Sequence, residues 1–238
     1  MKLALIGYGK MGKEIEKAAI AANHSIGAII DNEQDWLSNR DQFLDCEAAI
    51  EFSIPSVVVN NLKNCFEAGI PVVTGTTGWN RHLDEVTAAC TKKNGTLFYS
   101  SNFSIGVNIF FEINRRLSSV MDRYTEYGVK LTETHHVQKM DAPSGTAITL
   151  ANDIINSVER KKNWLNAATS DPLQLEIHSI REGSVPGIHE IEWTSDIDRI
   201  SIRHEAFNRQ GFARGALLAA EFVKGKKGIF GMSDLLKL

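Results

Sequence analysis

Leu3-Ala4-Leu5-Ile6 runs straight into Gly7-Tyr8-Gly9-Lys10-Met11-Gly12, after which Met11, Ile15, Ala18, Ala19 and Ala22 recur at helical spacing. A short buried-type strand that meets this glycine pattern and then a helix leaves few folds open. The first glycine permits a tight turn, the second lets backbone approach a pyrophosphate, and the third lets the helix pack closely on the strand. A second strand, Ser25 to Ile30, ends in Asp31, whose carboxylate suits the two hydroxyls of an adenosine ribose. Gly7, Tyr8, Gly9, Lys10, Met11, Gly12 and Asp31 are therefore candidate dinucleotide-binding residues. Asp31 repels a 2′-phosphate and is followed by Asn32, not arginine, so the reading leans towards NADH. Lys10 partly offsets that charge, and NADPH stays open.

The alternation continues with strands at 48–53, 71–74 and 96–100 and helices at about 56–68 and 81–92, the pattern of a doubly wound parallel sheet. Ligands in such sheets sit at the carboxyl ends of the strands. That singles out Phe52-Ser53, the loop Gly75, Thr76, Thr77 and Gly78, and the loop Ser100, Ser101, Asn102 and Phe103.

From Ser104 the alternation stops. An amphipathic helix with Val107, Phe110, Phe111, Leu117, Val120 and Met121 leads to a strand, Val129 to Thr132, and then to Glu133-Thr-His-His-Val-Gln-Lys-Met-Asp-Ala-Pro-Ser-Gly-Thr-Ala147. Ile148, Leu150, Ala151, Ile154, Ile155 and Val158 continue it as a helix. Pro143 is at home next to a first turn, and the Ser144 or Thr146 hydroxyl can cap it. With Gly145 leaving the backbone open, such a helix start suits a carboxylate or phosphate. Lys139 adds a full positive charge, and His135 and His136 can donate or carry protons near neutral pH. Neighbours on a strand face opposite ways, so both histidines serve one pocket only where the strand bends or ends; otherwise one is structural.

The stretch 161–172 is polar and reads as a surface loop. Strand-like runs at 173–181, 188–194 and 199–205 then read as successive hairpins of an antiparallel or mixed sheet, and an open sheet of this kind needs its exposed face covered by the chain's own helices or by a second subunit, so a homo-oligomer is expected as one way to cover it. A last helix, 212–223, and the tail 228–238 return to the first domain. The expected division is 1–104 with 209–238 for dinucleotide binding, and 105–208 for substrate binding and oligomerisation. The fold class is α/β, a doubly wound parallel Rossmann sheet with a second α+β domain on an open mixed sheet.

A net charge of -3 from 26 basic and 29 acidic residues gives no sign of nucleic-acid binding. No apolar run approaches the roughly 20 residues of a membrane span, and the apolar start meets Gly7 too soon for a signal peptide. Cys46, Cys65 and Cys90 are scattered, which fits a reducing cytoplasm. Without close cysteines or a His-Glu-x-x-His pattern, no metal site is expected.

The chain strongly resembles the bacterial dihydrodipicolinate reductases over nearly its whole length. The resemblance rests on the Gly7 to Gly12 loop, Gly75-Thr76-Thr77-Gly78, Asn102 to Asn108, Ile180 to Gly183, His189-Glu190, Phe212 to Ala216 and, above all, His135-His136-x-x-Lys139-x-Asp141-Ala142-Pro143-Ser144-Gly145-Thr146-Ala147. It implies reduction of 4-hydroxy-tetrahydrodipicolinate, a small cyclic dicarboxylate, to tetrahydrodipicolinate in the diaminopimelate route to lysine. His135 and Lys139 become the proton-donating pair, and His136, Gly145 and Thr146 hold a substrate carboxylate. The nicotinamide cofactor is bound by the glycine loop, Asp31, Gly75 to Thr77 and Ser100 to Phe103, and the assembly is a homotetramer. Relatives that accept NADPH usually carry a basic residue where this chain has Asn32, and here the second and third strands are joined by a shorter segment.

Overall fold

The computed structural model describes residues 1–208 and 210–238; Arg209, at an expected domain boundary, lies outside the described residues. The chain forms two compact units, Met1–Ile105 with Gln210–Leu238, and Gly106–Arg209.

In the first unit the order is β1 (Lys2–Ile6), α1 (Lys10–Ala21), β2 (Ser25–Ile30), α2 (Glu33–Ser38), α3 (Arg40–Leu44), β3 (Ala48–Glu51), α4 (Val58–Ala68), β4 (Val72–Thr74), α5 (Leu83–Lys92) and β5 (Thr96–Tyr99). The helix α6 (Ile105–Met121) opens the second unit, which continues with β6 (Gly128–His135), α7 (Gly145–Ser157), β7 (Asn163–Leu165), β8 (Gln174–Arg181), β9 (Gly187–Thr194) and β10 (Arg199–Ala206). The chain then returns to the first unit as α8 (Gln210–Val223), β11 (Gly228–Phe230) and α9 (Met232–Leu236). Among the described residues no helix is long and apolar enough to cross a membrane.

The first sheet has the order β11-β5-β4-β3-β1-β2 and is parallel throughout. Side chains alternate between its faces, as period-2 geometry requires. Ala4 and Ile6 join one apolar layer with Leu62, Cys65 and Phe66 of α4 and Val86 and Cys90 of α5. Leu3 and Leu5 join the other with Ile15 and Ala19 of α1 and Ala213, Ala216 and Ala220 of α8. The expected doubly wound sheet is therefore present.

The second sheet is mixed, with the order β10-β9-β6-β8-β7. Two expectations need correction. The polar stretch 161–172 is not wholly loop, because β7 lies in it and pairs in parallel with β8 as an edge strand. Nor do β8 and β9 form a hairpin: β6 lies between them, parallel to β8 and antiparallel to β9. The connection at 182–186 instead passes across the end of β6, where Glu182 N–H donates to the His135 carbonyl at 2.8 Å and Val137 N–H to the Gly183 carbonyl at 3.2 Å. A pattern of alternating residues marks strands without saying which neighbour each one takes.

On one face of this sheet Val129, Leu131, Leu175, Ile177, Ile191 and Trp193 pack with Val107, Phe110 and Phe111 of α6 and Leu150, Ala151 and Ile154 of α7. Leu131, Ile177 and Ile191 have no exposed surface, and burial of each stabilises the unit by about 1.5–3 kcal/mol. Both helices are thereby fixed on the face that ends at the central motif.

Close packing of α8 gives a direct test of the first unit. A Cβ at Gly215 would fall 1.8 Å from the Phe103 carbonyl oxygen. Gly215→Ala is expected to destabilise the protein by about 1–3 kcal/mol although alanine favours helix by about 1 kcal/mol. Thermal unfolding should show a melting temperature several degrees lower, at about 2–4 °C per kcal/mol; an unchanged value would contradict this packing.

Candidate active site

Each unit carries a site built where its strands end. In the first unit Gly7 has φ of +87°, and a Cβ there would lie 2.3 Å from the Phe52 carbonyl oxygen. A Cβ at Gly12 would lie 2.3 Å from the Gly7 carbonyl oxygen, whereas one at Gly9 would meet nothing within 4 Å. Two glycines are thus demanded by the turn and the helix packing, and the third leaves room for something else. Gly9 is the N-cap of α1 and makes no side-chain cap, so the first turn keeps its N–H donors for an anion. The cradle fits a dinucleotide pyrophosphate.

A groove of about 330 Å³ runs along this turn, lined by Gly9, Lys10, Met11, Ser53, Thr76 and Thr77. Thr76 and Thr77 also line an adjoining depression with Gly78, Ser100 and Ser101. Gly75 is required by packing, since a Cβ there would overlap the Phe52 ring at 2.2 Å. Asp31 stands exposed at the end of β2; its Oδ1 accepts from Tyr8 N–H at 2.7 Å. Asp35 caps the Asp31 and Asn32 N–H groups at 2.8 and 3.2 Å, which adds a second carboxylate beside that of Asp31. The Phe103 side chain is buried among Phe52 and Phe98, with centroids 5.7 and 5.8 Å apart, and the Asn102 side chain accepts from Ser104 N–H. These two shape the loop.

Sequence reasoning missed Glu51. It has no exposed surface and accepts from the Thr74 hydroxyl at 2.5 Å, from Ser53 N–H at 3.2 Å and from the Ser53 hydroxyl. Ser53 N–H also donates to Thr76 Oγ1 at 2.9 Å, so the carboxylate ties together the loops that line the groove. The available signal was an acidic residue closing the apolar strand Ala48-Ala49-Ile50.

In the second unit β6 ends at His135, the condition under which the two adjacent histidines can diverge from strict alternation. His135 is buried, with its ring 5.2 Å from that of His189 in a T-shaped contact. Its Nδ1 lies 3.4 Å from Glu133 Oε2, ion-pair distance without the alignment of a hydrogen bond. His136 is half-buried and its Nδ1 is enclosed without a hydrogen-bond partner. Lys139 N–H closes a turn onto the His136 carbonyl at 3.1 Å, and its ammonium donates to both Asp141 oxygens at 2.8 Å. That hydrogen bond lowers the Asp141 pKa. Of the two candidate caps, Ser144 is the one used: its hydroxyl accepts from Ala147 N–H at 3.2 Å. Gly145 opens α7, exposed, and a Cβ there would meet nothing within 4 Å; Thr146 follows it in the first turn.

Glu133, Arg181 and His189 were not singled out as site residues. Glu133 accepts from Ser144 N–H at 3.1 Å to each oxygen, from the Ser179 hydroxyl at 2.7 Å and from Arg181 at 3.4 Å. Burial works to raise its pKa, but the contact with His135 and the hydrogen bonds from Ser144 and Ser179 outweigh it and hold the carboxylate well below its usual range. Arg181 also donates to the carbonyls of Lys139 and Asp141 at 3.3 and 2.6 Å, which pins the loop after the strand. His189 donates to or accepts from Ser144 Oγ at 3.2 Å. Burial first, then the neighbouring His135, lowers its pKa to about 3, so it is neutral near pH 7. The signal was period 2: Glu133 and His135 share a strand face.

Glu133, His135 and His189 bring potential metal-ligand atoms within 4.8 Å of one another. The Glu133 oxygens already accept from three donors, the Ser144 N–H, the Ser179 hydroxyl and Arg181, and the Arg181 guanidinium 3.4 Å away repels a cation. This is a hydrogen-bonded carboxylate.

The family models for the dihydrodipicolinate reductase N-terminus and C-terminus match residues 1–103 and 106–236. A 4-hydroxy-tetrahydrodipicolinate reductase of Christiangramia forsetii is 44% identical over 238 residues, 99% of this chain and 98% of the relative. One from Alkaliphilus oremlandii is 33% identical over 245 aligned positions, 100% of this chain and 99% of the relative. Among solved structures, a dipicolinate-bound dihydrodipicolinate reductase from Paenisporosarcina sp. TG-14 has a TM-score of 0.75 at 24% identity, covering 97% of each chain, a likeness of fold. Matched in both halves by the family models and along its full length by these relatives, the chain belongs to the dihydrodipicolinate reductase family.

Proposed function

We propose that this chain reduces 4-hydroxy-tetrahydrodipicolinate to tetrahydrodipicolinate with loss of water, with His135 and Lys139 as proton donors and NADH as the preferred cofactor. The reaction is that of its family, in lysine biosynthesis, and the enzyme is a nicotinamide-dependent oxidoreductase. The observation that carries the residue assignment is local: His135 and His136 stand at the end of β6, and the Lys139 loop leads directly into the open start of α7.

A cyclic dicarboxylate needs donors and positive charge. The start of α7 at Gly145 and Thr146, together with His136, suits one carboxylate, and the Lys139 ammonium offers a cation in exchange for Asp141. The ring hydroxyl leaves as water with a proton from the neighbouring ring carbon, which leaves a double bond conjugated to the ring nitrogen, and a bound nicotinamide would supply a hydride to carbon 4 of that bond. Charge that develops towards the ring nitrogen is quenched by a proton from the His135 and Lys139 pair. Such positioned donation typically contributes about 10²- to 10⁴-fold in rate.

The NADH preference rests on Asp31, with Asp35 behind it and Asn32 beside it, where a 2′-phosphate would need a cation. The cofactor residues are Gly7 to Gly12, Asp31, Gly75 to Thr77 and the 100–103 loop, the last through its backbone and serines. A homotetramer is part of the same reading, because α6 and α7 both pack on one face of the second sheet. Light scattering at the mass of a single 26.4 kDa chain would contradict it. Three buried free thiols accord with a cytoplasmic location.

The reaction is tested by loss of nicotinamide absorbance, with the ring substrate generated from pyruvate and aspartate semialdehyde by a synthase. NADH should be consumed faster than NADPH; a preference for NADPH would overturn the Asp31 argument, and no consumption of either would overturn the function. His135→Ala and Lys139→Ala are each expected to lower kcat by about 10²-fold or more while fluorescence titration shows unchanged NADH affinity. Intact turnover in either variant would remove that residue from the donor pair.

A further inference from the structure

Three strands meet under the proposed proton donor in a fixed register. Ser179 of β8 and His189 of β9 flank Glu133, and Arg181 flanks His135 on the β8 side. These residues continue the rows Leu175, Ile177 and Ile191, Trp193 on the buried face, beyond the point where apolar side chains cover it. Gly187, two residues before His189, completes the enclosure: a Cβ there would lie 3.1 Å from His135 Nε2 and 3.3 Å from Cδ2. The His135 ring thus sits between a carboxylate on its Nδ1 side and bare backbone on its Nε2 side.

We infer that Glu133 is a positioning residue for this reaction: through its buried carboxylate it fixes the His135 imidazole and, by the same oxygens, the Ser144 N–H at the start of α7. The inference rests on the reading of His135 as a proton donor. A carboxylate beside one imidazole nitrogen orients the ring and sets which nitrogen carries the donated proton. Here the carboxylate is itself immobilised by Ser179 and Arg181, and Arg181 also holds the Lys139 loop through two carbonyls. One anion therefore sets the relative placement of the proton donor, the loop that carries Lys139 and the helix start that receives a carboxylate. Glu133 does this without any exposed surface, so it acts through those groups and does not touch substrate.

The test uses the full-length protein with Glu133→Gln and Gly187→Ala, assayed beside His135→Ala. Glu133→Gln keeps the shape and removes the charge; Gly187→Ala keeps the carboxylate and crowds the ring. Both are expected to lower kcat by about 100-fold, the lower figure typical of a positioned proton donor, with NADH affinity unchanged. Both should also raise the solvent deuterium isotope effect on kcat, as proton delivery becomes limiting. A role confined to folding would lower the fraction of active protein and the melting temperature while leaving the isotope effect of the remainder at its original value. Folded Gly187→Ala or Glu133→Gln with kcat within about threefold of the parent and an unchanged isotope effect overturns the inference. If His135→Ala also leaves turnover intact, the fault lies in the assignment of His135; if only that variant is impaired, it lies in the role of Glu133.

Discussion

A carboxylate without exposed surface costs several kcal/mol unless donors replace the water it has lost, and Glu133 is matched by the Ser144 N–H, the Ser179 hydroxyl and the Arg181 guanidinium. Those donors come from the N-cap of α7 and from β8, while Glu133 itself belongs to β6. The ion cannot keep its partners unless all three elements hold their places. Its pKa lies below that of an unfolded glutamate, so its contribution to stability is present above the unfolded value and is lost as pH falls through the folded one.

The apolar part of the second unit makes this possible. Leu131, Ile177 and Ile191 fix the register of the three central strands, and α7 is clamped on the same face by Leu150 and Ile154. Asn114 of α6, wholly buried, donates to the Leu150 carbonyl at 3.1 Å and joins the two helices. Polar residues then follow the apolar ones along each row. Core packing sets the frame, and the charged cluster uses it. The first unit repeats the device on a smaller scale, with Glu51 at the end of a buried strand drawing Thr74 and Ser53 together beside the groove.

Much of this was legible in the chain. The glycine loop, its strand and its helix were readable because Gly7 and Gly12 answer to steric demands that no other residue meets. The helix start at Ser144 and Gly145 was readable from capping chemistry, although only the folded backbone, which brings the Ala147 N–H to the Ser144 hydroxyl, decides between Ser144 and Thr146. What escaped was pairing. Alternation in 173–181 and 188–194 suggested a hairpin, yet the strand carrying Glu133 and His135 lies between them, so the cross-strand neighbours of Glu133, Ser179 and His189, come from 46 and 56 positions away. Without that order, Ser179, Arg181 and His189 could not be assigned to the site. Glu133 was hidden for a different reason: a lone acidic residue in a strand ordinarily faces solvent.

The ionised state of Glu133 is the claim on which this arrangement stands, and carbon-13 NMR of its side-chain carboxyl observes it directly. An unperturbed glutamate titrates near about pH 4.3. The account predicts that the Glu133 carboxyl signal keeps its ionised position as pH is lowered through that range in the folded protein. A titration near the ordinary value would mean that the donors around it do not hold the charge, and the arrangement described here would be contradicted.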